Sequence, residues 1–204
     1  MRAHRVFAAV YDRMAASAER HVLGERRQRL LGGLTGRVLD VGAGTGVNLD
    51  HVRGADELVL AEPDPAMRAK LHRKLDRAHV PVRVSEAAAE ALPFEDASFD
   101  AVVCSLVLCT VTDPARALAE ARRVLRPGGT LVLLEHVRGT GGQARWQDRV
   151  TPLWKRLGAG CHPNRNTRAA VENAGFTLTR VDETLIGPRW VPVSPLLEAT
   201  ARPS

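Results

Sequence analysis

Aromatic side chains are scarce in this 204-residue sequence, where four Phe, three Trp and one Tyr amount to 4%. That is too few for a base-stacking platform on single-stranded nucleic acid. Cysteine is equally sparse. Cys104, Cys109 and Cys161 stand too far apart in sequence for a disulfide framework, and no pair has the CxxC spacing of a zinc or redox motif. Only three of the 29 basic residues are Lys, so the net charge of +6 is borne by Arg without a basic stripe or interleaved aromatics, and no nucleic-acid partner is expected. Long apolar runs are missing too. The longest, AVVCSLVLCTV at 101–111, falls well short of the roughly 18 residues a membrane helix needs. The opening MRAHRVFAAVYDR has no signal-peptide core. The expectation is a cytoplasmic protein with no membrane span and an open oligomeric state.

What is present is 45% hydrophobic and 25% charged residues, enough for one domain over 1–204. Residues 1–34 have helix-like spacing and predict a helical cap ending at Gly32-Gly33. Five short β-branched runs follow: RVLDVG (37–42), DELVLAE (56–62), VPVRVS (80–85), FDAVVCS (99–105) and GTLVLLEHV (129–137). They read as parallel strands buried on both faces. Asp64-Pro65 and Asp113-Pro114 mark helix starts, and the second of these helices is expected to end at Arg126-Pro127-Gly128-Gly129. GTGGQ (139–143) reads as a flexible joint, 143–157 as a helix interrupted at Pro152, 164–176 as a further helix, and 176–183 and 189–197 as final antiparallel strands. The fold class is α/β: a doubly wound, Rossmann-like, seven-stranded, mostly parallel sheet with an antiparallel last strand and an N-terminal helical lid. A core over 36–137 and acceptor-side elements over 138–204 complete the organisation.

The sharpest signal is VLDVGAGTG at 38–46, a strand running into Gly42, Gly44 and Gly46 at an expected helix start. Glycines there let the backbone turn tightly and approach a ligand. The nicotinamide fingerprint would need Gly at 47, where Val47 stands. Asp40 lies two residues before the first Gly, and Glu62 ends the second strand. A strand-end acid accepts ribose hydroxyls. An acid beside the glycine loop repels a pyrophosphate but suits an ammonium and a sulfonium. S-adenosylmethionine has that charge pattern, whereas NAD does not.

These residues resemble the class I S-adenosylmethionine-dependent methyltransferases from about 36 to 137. The resemblance implies S-adenosylmethionine as cofactor and S-adenosylhomocysteine as product. Asp40, Gly42, Ala43, Gly44, Gly46 and Asn48 would lie at the methionine end, and Glu62 and Pro63 at the ribose. Ala89 and Glu90, in AAAEALPFEDASFD (87–100), would sit beside the adenine, although many members carry Asp where Ala88 stands. Ser105 and Leu106 would touch donor or acceptor. Tyr11, with Asp12, belongs to the lid or else simply packs. VVCSLVLCTV (102–111), RRVLRPGGTLVLLEHV (122–137), Trp146, GCHPNRNTRAAVENAGF (160–176) and RWVPVSP (189–195) are similar to the alkyl thiol methyltransferases and their small soluble bacterial relatives. The hydrophobic anchor that opens eukaryotic members has no counterpart in 1–34, and Leu196 stands where they often carry His.

Methyl transfer is an in-line displacement for which positioning supplies much of the acceleration. A thiol, with a pKa of about 8.5, is partly ionised already, whereas a hydroxyl needs a strong base or a metal. The sequence has no HExxH and no carboxylate cluster at metal spacing, so no metal is expected and a small-molecule thiol leads as acceptor. Phospholipid N-methylation and O- or N-methylation of a secondary metabolite are the alternatives, with nucleic-acid binding as a reading of another class. His136, at the end of the fifth strand, is the candidate base or orienting group, or else bonds a loop. His162, Asn164 and Arg165 either line the acceptor pocket or serve the local structure, with Asn166 as a helix cap. Cys104 and Cys109 read first as small buried side chains, with thiols that deliver or bind the acceptor as the alternative. Trp146, Trp154 and Trp190, with Leu153 and Leu157, form either an apolar acceptor pocket or core.

Overall fold

In the computed structural model, which describes residues 22–158 and 160–204, five strands run parallel: β1 Thr35–Val41, β2 Gly54–Ala61, β3 Val82–Ser85, β4 Phe99–Ser105 and β5 Leu125–His136. With β6 Phe176–Leu185 and β7 Pro195–Pro203 they form one seven-stranded sheet in the order β3-β2-β1-β4-β5-β7-β6, in which β7 is antiparallel to both neighbours. The expected doubly wound architecture is therefore present. Tyr11, Asp12 and most of the expected cap lie outside the described residues.

The central strands read as continuous apolar runs because both their faces are covered. Leu39, Val41, Val59, Val102, Leu131 and Leu133 pack on one face, and Val38, Leu58, Leu60, Val103, Val132 and Leu134 on the other. The first face receives α3 Pro114–Val124 through Ala117, Leu118, Ala121 and Val124, an i, i+3, i+4 stripe. The second receives α1 Gly24–Leu31 through Leu30 and Leu31, and α2 Pro65–His72 through Leu71. Asp64 and Asp113 cap α2 and α3 as their sequence signals indicate, each followed by Pro at the first helical position. No helix among the described residues is long and apolar enough to cross a membrane.

Several boundaries differ from the sequence reading. The segment after Gly46 is a run of turns, with Gly46, Leu49 and His51 amides donating three residues back, in place of the expected helix. Positive φ at Gly42, Gly44 and Gly46 interrupts the right-handed conformation in which a helix would nucleate. α3 stops at Val124, and Arg126-Pro127-Gly128-Gly129 lies within β5 at a register irregularity. The expected joint at 139–143 instead opens α4 Gly141–Leu157, which continues through Pro152. Pro152 lacks one donor, but the helix is pinned midway by Gln147, whose buried Nε2 donates to the carbonyls of Val137, Pro163 and Pro192 at 3.0, 2.9 and 2.8 Å. α5 Thr167–Asn173 is capped by Asn166, as expected. Residues 189–194 are turns rather than strand. Pro188 and Pro192 offer no amide donor, Val191 bonds back to Pro188 and Ser194 to Val191, so the ladder starts at Pro195.

Strand order reverses at β1 and β4, so the crevice beyond their carboxyl ends is where this architecture binds ligands. α1 is tied to the sheet by Glu198 of β7, a buried carboxylate that pairs with Arg26 and, at 3.1 Å, with Arg29. Because both arginines stay partly exposed and can be rehydrated, Glu198→Ala should lower the unfolding free energy by about 2 kcal/mol in urea titration. A loss of under about 0.5 kcal/mol would show that the pair does not anchor α1.

Candidate active site

The glycine loop leaves β1 at the point where the strand order reverses. A Cβ at Gly42 would lie 2.3 Å from Val107 Cγ2, and one at Gly46 would lie 2.5 Å from Leu71 Cδ1, so close packing demands glycine at both. Gly44 is different. Its Cβ would meet nothing nearer than Gly42 O at 3.9 Å, which leaves the backbone approachable from that side. Ala43 closes the loop onto the sheet, its amide donating to Ala61 O at 3.0 Å.

Two acids flank this loop. Asp40, buried at the end of β1, accepts both its hydrogen bonds from Asn48 Nδ2, at 2.9 and 3.0 Å. Asn48 Oδ1 accepts in turn from Nη1 of the buried Arg27 on α1, which also donates to Ser105 Oγ at the end of β4. Glu62 accepts from the Gly44 and Asp64 amides at 2.8 Å each. Burial pushes Asp40 up to about 7, against the pull of Asn48 and Arg27, and the neighbouring Glu62 charge adds to the rise. Burial raises Glu62 as well. Two crowded carboxylates beside an open backbone make a place that favours a cationic, hydroxyl-bearing ligand.

The other expected cofactor residues divide. Pro63 follows Glu62 and is half-buried. Leu106, after Ser105, has φ of 58°, a strained value for a branched residue, held by its amide bond to Leu134 O at 2.7 Å. Ala89 is buried in the core, and the Glu90 carboxylate is committed to the Thr112 and Asp113 amides at 2.9 and 3.3 Å, where it supports the start of α3.

At the end of β5, Glu135 and His136 point to opposite faces. The fully buried Glu135 carboxylate accepts from the amides of Val107, Leu108 and Cys109 at 2.8, 2.8 and 3.2 Å and so fixes the loop after β4. Burial nevertheless pushes it up to about 7. His136 pairs in register with Leu196, and its Nδ1 lies 3.9 Å from Cys161 Sγ. Cys109 joins them: the two sulfurs and a ring nitrogen lie within 4.8 Å of one another. A hydrogen bond from Cys109 pulls the Cys161 thiol down, with His136 and Trp154 assisting. Cys109 and Cys161, distant in sequence, come together because the loop after β4 and the connection from α4 to α5 converge. Cys104 remains a core side chain on β4.

The remaining acceptor-side candidates also separate. His162 donates its amide to Cys109 O at 2.7 Å, Arg165 reaches inward to Leu108 O, and Asn164 bonds Asp148 at 2.9 Å. Among the described residues the Trp segments build neither of the two expected alternatives, pocket or core: Trp146, Leu153, Leu157 and Trp190 are exposed, and Trp154 is half-buried.

The family described as methyltransferase domain matches residues 39–133. The thiol S-methyltransferase TMT1B of Homo sapiens is 35% identical over 172 residues, covering 81% of this chain and 70% of that protein. The human thiol S-methyltransferase TMT1A is 31% identical over 196 residues, covering 93% and 80%. Among solved structures, a SAM-dependent methyltransferase from Thermotoga maritima superposes with a TM-score of 0.70 at 22% identity, covering 98% of both chains. This chain belongs to the S-adenosylmethionine-dependent methyltransferases.

For a methyltransferase the donor side fits its ligand: an approachable Gly44 backbone, a strand-end Glu62 with lone pairs to spare, and mutually repelling acids that a sulfonium would relieve. The sequence reading missed Arg27, one arginine among 26 with no local signal, and undervalued Glu135 and Cys161, whose roles arise only from tertiary convergence.

Raised acids have a stability consequence. An acid with a native pKa above its unfolded value stabilises the protein while protonated, and that contribution is lost as pH rises through the native pKa. Asp40 does this between about 4 and about 7, and Glu62 and Glu135, also raised, act in the same sense. Asp100, Glu120 and His162, which are lowered, work in the opposite sense, the two acids only around and below their ordinary values. Asp40→Asn should therefore gain melting temperature relative to the parent as pH rises from 5 to 7.5, measured by scanning calorimetry without ligand. Parallel profiles would contradict the raised Asp40.

Proposed function

We propose that this methyltransferase moves the methyl group of S-adenosylmethionine to the sulfur of a small lipophilic thiol. The observation that carries the reading is the extent of the likeness. Similarity to proteins named thiol S-methyltransferases takes in up to 93% of the chain, well beyond the 39–133 domain.

Bound S-adenosylmethionine supplies an electrophilic methyl on a positively charged sulfur. The chain's own residues do the rest. Gly44 leaves its backbone open to the donor, Glu62 accepts from the ribose hydroxyls, and Asp40, backed by Asn48 and Arg27, supplies the negative field that favours the donor's charge. Glu135 fixes the loop after β4, and His136 stands at the end of β5 to orient the acceptor. With a nucleophile that is partly ionised near neutral pH, positioning carries most of the acceleration.

Calorimetric titration should show S-adenosylmethionine and S-adenosylhomocysteine binding and NAD not binding. Glu62→Ala should weaken cofactor affinity about ten- to a hundredfold, as expected for loss of a charge-assisted hydrogen bond. His136→Ala should slow turnover of an alkyl thiol while leaving cofactor affinity unchanged. Methylation of an ethanolamine phospholipid but of no thiol would overturn the acceptor assignment, and NAD binding would overturn the donor.

A further inference from the structure

The cluster of Cys109, His136 and Cys161 has a composition that methyl-donor binding does not use. We propose that it is a site for a thiophilic divalent metal ion of the zinc class, with three protein ligands and a fourth position for the acceptor thiol. The proposal rests on the thiol methyltransferase reading and names how that site holds its substrate.

The geometry supports it. Tetrahedral zinc with its usual bond lengths sets two sulfurs about 3.8 Å apart and a sulfur and a ring nitrogen about 3.6 Å apart. Here Cys161 Sγ and His136 Nδ1 are 3.9 Å apart, and all three donor atoms lie within 4.8 Å of one another. The backbone behind each ligand is fixed. The Cys109 amide is held by Glu135 and its carbonyl by the His162 amide, Cys161 N–H bonds Gly158 O at 2.9 Å, and His136 sits in the β5–β7 ladder. A second observation points the same way. The buried Trp154 Nε1 faces Cys161 but makes no full hydrogen bond among the described residues. A metal-bound thiolate is a stronger acceptor for this N–H than a thiol is.

Two cysteines and one histidine are the ligand set of a catalytic zinc site with one open position, whereas structural sites are closed by four. Cys109 and Cys161 are buried and His136 is half-exposed, so a small ligand reaches the cluster from the imidazole side. A thiol entering the fourth position loses its proton to solvent on coordination. Its sulfur lone pair then forms a bond to the methyl carbon. The bond from that carbon to the sulfonium breaks, its electron pair returns to the donor sulfur, and a neutral thioether and neutral S-adenosylhomocysteine result. Cys109 lies only four residues beyond Ser105, where Arg27 ties the loop to the Asp40 network, so donor and acceptor sites share one loop.

The test is a titration of the reduced, chelator-treated full chain with Co²⁺, followed by Zn²⁺. One equivalent of Co²⁺ should give sulfur-to-metal charge-transfer absorption that Zn²⁺ abolishes. Cys161→Ser and Cys109→Ser should each weaken binding at least a hundredfold, whereas Cys104→Ala should not. In the unmutated protein, Zn²⁺ should protect Cys109 and Cys161 from alkylation as read by mass spectrometry, which keeps the test valid if a variant misfolds. Adding an alkyl thiol should shift the cobalt spectrum. Absence of the charge-transfer band, its survival in Cys161→Ser, or absence of protection would overturn the site. A cobalt spectrum indifferent to thiol would overturn the acceptor role. S-adenosylmethionine binding measured on the same preparation tells failure of this site from failure of the methyltransferase reading.

Discussion

A carboxylate taken out of water has to be surrounded by hydrogen-bond donors, and this protein meets that requirement three times along one edge of its sheet. Asp40 is met by Asn48 with Arg27 behind it, Glu62 by the amides of Gly44 and Asp64, and Glu135 by three successive amides after β4. Each acid orders the segment that leaves a strand, and together they shape the crevice beyond β1, β2, β4 and β5. Removing the charge from any one of them would therefore alter a loop as well as a field.

The incomplete compensation is what gives the edge its chemistry. Burial outweighs the donors, so Asp40 and Glu135 are both pushed up to about 7 and Glu62 is raised. A site in that condition gains by receiving positive charge. On the donor side the proposed source of this charge is the sulfonium and ammonium of S-adenosylmethionine.

Much of this was legible in the sequence, for physical reasons that can be named. Strands buried on both faces produce unbroken apolar runs, so β1, β2, β4 and β5 announce themselves, whereas β3, expected to be buried likewise, lies at the sheet edge and is only partly buried. Asp-Pro pairs mark α2 and α3 because a cap and a fixed φ act over three residues. Gly42 and Gly46 stand out because Val107 and Leu71 leave no room for a side chain. Longer-range effects were not legible. The run of turns after Gly46 depends on φ values that glycine merely permits, and the continuity of α4 through Pro152 depends on what Gln147 meets in space. Glu90 keeps a motif position yet serves α3. Cys109 and Cys161, 52 residues apart, meet only through the fold.

Buried acids that are held partly protonated until a cation arrives must give up protons on binding, and calorimetry of S-adenosylmethionine binding at pH 7 in buffers of different ionisation enthalpy reads that release. Asp40, near half-protonated at about 7 in the free protein, should release part of a proton when the cationic donor binds, so the apparent enthalpy should vary linearly with the buffer. The variation should shrink in Asp40→Asn. The same enthalpy in every buffer, with tight binding intact, would contradict the account.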